Sequence, residues 1–279
     1  MDKIKKILIK LLPNQLYLII RTFYLILKNP QKEIPNYILE KKYFIKDKEK
    51  KILFSIRSMG GATNGRGNTF YSKEPETINW IKNFGKKSIF FDIGANIGIY
   101  SLFAASLEHK TVSFEPESHN FASLNININD NNFVNKIKAY PISLDEKIAI
   151  SELNINKFRF GGSGHSFDRP INSLGKSFQP SHIQGSISIT LDKFIEETKI
   201  YPNYIKIDVD GNELRVMNGM KKLLVSKKTK SILIELNRSF DEHNEVVDLF
   251  KANGYNLVYY KKDKYRESNH IFEIDKKFL

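Results

Sequence analysis

At 279 residues, with 41% hydrophobic and 12% aromatic content, the chain has enough apolar surface for one α/β core with additions and is not a disordered polymer. The absence of cysteine excludes thiol nucleophiles, iron–sulfur clusters, thiolate zinc sites and disulfide staples. The formal charge of +13 would suit a polyanion or an anionic membrane, yet residues 1–50 carry 12 Lys or Arg against 5 Asp or Glu, so more than half of the excess lies at the N-terminus.

Residues 1–30 open with Ile4, Ile7, Leu8 and Leu11 at helical spacing, while Lys3, Lys5, Lys6 and Lys10 occupy other faces. The apolar run from Leu16 to Leu27 follows Pro13 and is broken by Arg21, short of the ~20 uninterrupted residues of a spanning helix. The segment therefore reads either as a basic amphipathic helix lying on an anionic membrane or as a helix packed on protein. No cleavable signal with a small-residue site is visible, so the expected location is cytoplasmic, with a peripheral membrane contact through residues 1–30. Residues 31–85 read as a lead-in subdomain, with a Gly-rich stretch at Gly60 to Gly67 and a helix from Pro75 through Trp80.

From Ser88 the pattern alternates between strand and helix: SIFFDIG, IYSLFAASL, TVSFEP, HNFASLNININ, KIKAYPIS. Such alternation predicts a parallel sheet, placed here in a domain over residues 86–279. An interruption near 148–185 reads as a hairpin carrying a lid with Gly161, Gly162 and Gly164, after which SISITLDKFIEET, YIKIDVDG, NELRVMNGMKKLL and SILIEL restore the alternation.

The first strand of that domain runs into Asp92-Ile-Gly-Ala-Asn-Ile-Gly98 and then into a helix. Gly94 and Gly98 would let the backbone turn tightly and approach a ligand, and about twenty residues on Glu115 ends the second strand, where a carboxylate accepts ribose hydroxyls. A dinucleotide would use G-x-G-x-x-G, but Asn96 stands where a diphosphate would need glycine, and Asp92 would repel phosphate while favouring a sulfonium or ammonium. The signals together point to an adenosine with a cationic group; a turn and a capping Asp in an unrelated α/β protein is the bland alternative.

Taken together, FFDIGANIGIYSL, VSFEPESHNFASLNINI, ITLDKFIEE, YIKIDVDGNELRVMNGMKKLL and SILIELN resemble the motifs of the FkbM-type methyltransferases, over roughly residues 70–240. That resemblance implies a class I, Rossmann-like α/β fold: a mostly parallel seven-stranded sheet with helices on both faces and a final antiparallel strand. It implies S-adenosyl-L-methionine held by Asp92, Gly94, Asn96, Gly98 and Glu115, with the adenine near Ser143 and Glu74 toward the methionine end. It also implies O-methylation of a hydroxyl on a glycan or glycolipid precursor. Nucleic acid is not an expected partner, because no Asn-Pro-Pro-Tyr-type element and no cysteine for cytosine attack are present.

Methyl transfer to oxygen requires alignment of the acceptor and removal of its proton. Lys206, Asp208 and Asp210 alternate along one face of an extended segment, and Glu213 follows on a helix. This cluster reads in three ways: Asp208 as general base with Lys206 orienting it, Asp208, Asp210 and Glu213 as ligands of Mg²⁺, or structural Lys–Asp pairing with helix capping. His165, on the lid, is a second candidate base.

Overall fold

Alternation of side chains along the strand IFFDI sorts the whole domain into layers. Phe91 and Ile93 point to one face of the sheet, Phe90 and Asp92 to the other. In the computed structural model, described for residues 41–60, 62–237, 239–260 and 268–278, these residues form β3 (Ile89–Ile93). Before it come β1 (Lys42–Lys46) and β2 (Ile52–Arg57), paired as a two-stranded sheet, and three short helices: α1 (Ala62–Asn68), α2 (Phe70–Lys73) and α3 (Pro75–Lys82). Most of the Gly-rich stretch is thus helical. A side chain at Gly67 would overlap the Tyr43 ring, so glycine allows α1 to sit against β1. Pro75 occupies the first turn of α3, where its missing N–H costs nothing. Residues 1–30, with the expected membrane contact, lie outside the described residues.

After β3 follow α4 (Ile99–Ser106), β4 (Lys110–Phe114), α5 (Ser118–Asp130) and β5 (Ile137–Tyr140). The second half adds α6 (Leu191–Thr198), β10 (Tyr204–Ile207), α7 (Glu213–Asn218), α8 (Lys221–Ser226), β11 (Ser231–Leu236), α9 (Asp241–Ala252), β12 (Tyr255–Tyr260) and β13 (Ser268–Ile274). The seven-stranded sheet has the order β12-β13-β11-β10-β3-β4-β5. The five strands from β11 to β5 are mutually parallel, and β13 runs antiparallel to both of its neighbours. All four residues of β10 are buried, as expected for a strand covered on both sides.

One apolar layer joins Phe91, Ile93, Val112 and Phe114 to Phe194 of α6 and Val216 of α7. The other joins Phe90 to Trp80, Phe103 and Leu124, with Phe54 of β2 in the same cluster, so the lead-in elements complete the core. Helices cover both faces, and chain order reverses beside β3, which opens a crevice at the carboxyl ends of the strands. No helix among the described residues is long and apolar enough to cross a membrane.

The interruption folds as a second sheet of four strands: β6 (Ser143–Leu144), β7 (Ala149–Ile155), β8 (Ser166–Phe167) and β9 (His182–Ile189). β7 and β9 pair antiparallel, in register from Ala149↔Ser188 to Ile155↔His182, with β8 between them in the chain. β8 pairs with β7, setting Leu153 opposite Phe167.

Candidate functional site

The turn after β3 has three residues in the left-handed region: Gly94 (φ 78), Asn96 (φ 52) and Gly98 (φ 86). A side chain at Gly94 would overlap the Asp208 carbonyl oxygen, so glycine is required for the two strand ends to approach. The backbone amides of Gly94 and Ala95 both donate to the Phe114 carbonyl, 3.0 Å away, fixing the turn against β4. Gly98 serves packing, since a side chain there would strike Leu124 of α5. Asp92 lies behind the turn, where Ser101 donates to its Oδ2 at 2.5 Å and Ser101 also contacts Ser113 at 2.7 Å. Burial pushes the Asp92 carboxyl up from its ordinary value. Asp92 and Gly98 are therefore not among the residues lining the cavity, whereas Gly94 and Asn96 are.

That cavity, about 540 Å³, occupies the crevice and is large enough for a nucleoside-sized ligand. Glu115 lies in its wall, only 5% exposed. The Asn96 amide donates to its Oε2 at 2.7 Å and the Glu117 amide to its Oε1 at 2.9 Å, so both oxygens are fixed while each keeps a lone pair for an incoming hydroxyl. Burial outweighs these bonds and pushes the carboxyl up to about 7. Glu117, itself buried, caps α5 through the amides of His119 and Asn120. Beside Glu115 the wall turns apolar, with Pro116, Ile142, Leu144, Leu153 and Phe167. Ser143 also lines it, with its hydroxyl 3.5 Å from that of Ser186.

At the other end the wall is ionic. Lys206, 1% exposed, donates to Asp208 Oδ2 at 2.6 Å, and its ammonium stands 5.2 Å from the centre of the Tyr100 ring. Burial raises the Asp208 carboxyl, but the ammonium and its hydrogen bond outweigh burial and hold it at about 2. Burial disfavours the charged Lys206, yet Asp208, Glu74 and Asp92 together raise its pKa. Glu74 is buried just before α3, ion-paired to Lys73 at 3.0 Å and accepting from Thr77 and Asn269. It is held below the ordinary range because Lys206 and Lys73 outweigh burial. Tyr100 is hydrogen-bonded to Glu74 and its pKa is pushed up, first by burial and then by Glu74. Glu235 of β11 bonds to Asp208. Lys73, Tyr100 and Glu235 escape a sequence reading; the one local signal is the acidic residue within the apolar run SILIEL.

The segment joining β7 to β8 is tied across the cavity by its backbone. Asn120 accepts from the Gly161 amide at 2.9 Å and donates to the Gly162 carbonyl at 3.1 Å; Asn96 Nδ2 donates to that carbonyl at 2.5 Å. Arg66 donates to the Gly161 carbonyl at 3.1 Å, and the Gly164 amide donates to Asp210 at 2.7 Å. A side chain at Gly162 would press on the Lys157 and Arg159 carbonyls. His165 reaches the cavity wall, its Nδ1 accepting from the Asn156 amide at 3.3 Å. Nε2 thus carries the hydrogen, and the imidazole offers a donor where the sequence reading expected a proton acceptor.

The expected Mg²⁺ ligands are not brought together. Asp208 turns to Lys206 and Asp210 to Gly164, while Glu213 accepts from the amides of Val209 and Gly211 and meets His243 at 2.8 Å. Among the described residues no group of three acidic or histidine side chains is arranged to hold a metal. The donor set does not fit Mg²⁺, and EDTA is expected to leave methyl transfer unchanged; activity lost to EDTA and restored by Mg²⁺ would reverse that conclusion.

The strand order and the crevice at its switch point define a Rossmann-like methyltransferase fold. The chain belongs to the FkbM methyltransferase family, whose domain model, Methyltransferase FkbM domain, matches residues 92–257. It is similar to the methyltransferase FkbM of Methylobacillus flagellatus at 17% identity and a TM-score of 0.46, covering 75% of this chain and 53% of that one. It is also similar to the precorrin-6y C5,15-methyltransferase of Geobacter metallireducens (11%, TM-score 0.43, 73% and 87% covered) and to the human methyltransferase 10 domain containing protein (13%, 0.42, 71% and 81%). The chain thus spans about half the length of the Methylobacillus protein. Comparison with curated proteins finds no match. Membership of this family implies S-adenosylmethionine as the ligand of such a domain.

Proposed function

We propose that the chain is an S-adenosylmethionine-dependent O-methyltransferase acting on a hydroxyl of a glycan or glycolipid precursor. The observation that carries the cofactor assignment is Glu115, a buried carboxylate whose two oxygens are each fixed by one backbone amide and open to two vicinal hydroxyls. The apolar wall from Pro116 to Phe167 suits a flat base, and the acidic side chains Glu74 and Asp208 suit the cationic end. When bound, the cofactor supplies an electrophilic methyl group on its sulfonium. Asp208 takes up the acceptor's proton, Lys206 fixes the carboxylate that does so, and Glu74 with Tyr100 and Lys73 bounds the same end of the cavity. The acceptor class rests on the family resemblance, supported by a methyl end built from hydrogen-bonding side chains.

Calorimetry tests the assignment. Glu115→Ala is expected to weaken S-adenosylhomocysteine binding by about 1.5–3 kcal/mol, the usual value of charge-assisted hydrogen bonds. Because the empty site's carboxyl titrates near 7 and only its ionised form accepts both hydroxyls, wild-type affinity should be highest above pH 7. It should fall on the order of tenfold from about pH 8 to pH 5.5. The Glu115→Ala protein should lose that dependence, and unchanged affinity in the variant would defeat the assignment.

A further inference from the structure

We infer that Glu213 and His243 are positioning residues that act on the cavity through Asp210: they hold the turn after β10 in the shape that lets Asp210 tie a strap, residues 161–165, across the crevice. The consequence for function, slow release of a nucleoside ligand, rests on the reading of this cavity as an S-adenosylmethionine site.

The strap joins the ends of two neighbouring strands, and its Gly162, Ser163 and His165 line the cavity. On the β3 side the Gly161 amide and the Gly162 carbonyl are bonded to Asn120 and Asn96. On the β10 side the Gly164 amide donates to Asp210 Oδ2 at 2.7 Å.

Asp210 makes this contact from a left-handed backbone (φ 54), and Gly211 continues the turn at φ 115. A residue with a Cβ adopts that region only where its surroundings hold it there. Here Glu213 supplies the hold. Its Oε1 accepts from the Val209 amide at 3.2 Å and from the Gly211 amide at 3.3 Å, the two residues that flank Asp210. Its Oε2 meets His243 Nε2 at 2.8 Å. Nδ1 of that imidazole accepts from the Asn237 amide at 2.7 Å, just beyond β11, so Nε2 carries the hydrogen and donates to Glu213. Glu213 and His243 are 2% and 1% exposed, and removing either would leave the other's polar atoms buried without a partner.

A continuous path therefore runs from Asn237 through His243 and Glu213 to the amides beside Asp210, and from Asp210 to the strap. A pair serving helix packing alone would have no need of those two amides. Strap opening commonly sets the rate at which a product leaves an enclosed site, so the pair controls residence time in the cavity.

The test is stopped-flow dissociation of S-adenosylhomocysteine from the full chain, with hydrogen exchange of residues 161–165 and 209–213 measured in parallel. Asp210→Ala should speed dissociation by about tenfold, the scale of one lost charge-assisted hydrogen bond. His243→Leu should also speed it and raise exchange in both segments, with β3 and β4 unchanged. The double variant should release the ligand no faster than Asp210→Ala, because the two residues act in series. His243→Gln puts a donor where Nε2 stood and should keep release slow, whereas His243→Asn leaves Glu213 unpaired and should release fast; this comparison decides the matter even if His243→Leu does not fold. Wild-type release from Asp210→Ala, effects that multiply in the double variant, or wild-type exchange of residues 209–213 in His243→Asn each overturns the proposal and leaves the cofactor reading standing. A wild type that does not bind S-adenosylhomocysteine overturns the cofactor reading instead, and exchange of the two segments still decides whether the pair holds the strap.

Discussion

Replacing Asp208 by Asn should slow methyl transfer by about 10²- to 10⁴-fold, the usual contribution of a general base, while S-adenosylhomocysteine binding stays near the wild-type value. Asn keeps an oxygen to accept from Lys206, so the 2.6 Å contact and the neighbouring carboxylates that compensate the ammonium survive the change. What is lost is the proton acceptor. A carboxyl held at about 2 is a weak base toward a free alcohol, but the hydroxyl becomes strongly acidic as its oxygen gains the methyl group. A permanently ionised carboxylate is then the useful partner, because no working pH protonates it. Single-turnover rates should therefore show no loss of Asp208 function on acidification to pH 5, in contrast to the fall in cofactor affinity set by Glu115. If Asp208→Asn turns over at a near-normal rate, the proton must leave by another group, and Glu235, bonded to Asp208, is the next residue to change.

The parts of this site legible in the sequence are those that follow from local backbone demands. Gly94 and Glu115 each sit at a strand's carboxyl end, one as a left-handed turn residue and one as a carboxylate beyond an apolar run, and such positions project into the crevice of a parallel sheet. The strand and helix alternation likewise carried the sheet and its layers. Asp92 shows where this reading stops: its spacing resembles that of a ligand contact, but its Oδ2 accepts from Ser101 on α4 and the residue is not among those lining the cavity. Gly98 is similar, since the turn that needs glycine for its φ also needs it to admit Leu124.

What the sequence hides is assembled across long separations. The ionic end gathers Lys73 and Glu74, Tyr100, Lys206 and Asp208, and Glu235 from four stretches, and no spacing rule links them. Asn96 bonds Gly162 across 66 residues, so the glycines of the loop gain a purpose only when α5 and the β3 turn are placed beneath them. Glu213, a plausible metal ligand by spacing, becomes a brace between the turn after β10 and α9 because His243 lies opposite it. That histidine, with no motif around it, was silent in the sequence.

Lys206→Met should be the most damaging substitution for stability. The methionine roughly conserves the stem's volume in the core, so packing is nearly kept and the cost is electrostatic. Removing the ammonium leaves Asp208, Glu74 and Asp92 facing one another in a buried setting with Lys73 as the remaining nearby cation. Breaking a buried pair in this way typically costs about 3–5 kcal/mol; the lower end is expected, because the Asp208 side chain is 27% exposed. The pH dependence gives the signature. In the wild type, Asp208 has a folded pKa of about 2 against an ordinary 3.8, so its contribution is present above the ordinary value and is lost as pH falls through 2. Without Lys206, burial and the neighbouring carboxylates push that pKa above its ordinary value, so the folded state takes up protons that the unfolded state does not. The variant should then gain stability as pH is lowered from 7 toward 5, the reverse of the contribution Asp208 makes in the wild type. Denaturant unfolding of both proteins at pH 7 and pH 5 measures it. A deficit of the same size at both pH values would show that Lys206 acts through packing alone and that its charge does not hold the carboxylates at the ionic end of the cavity.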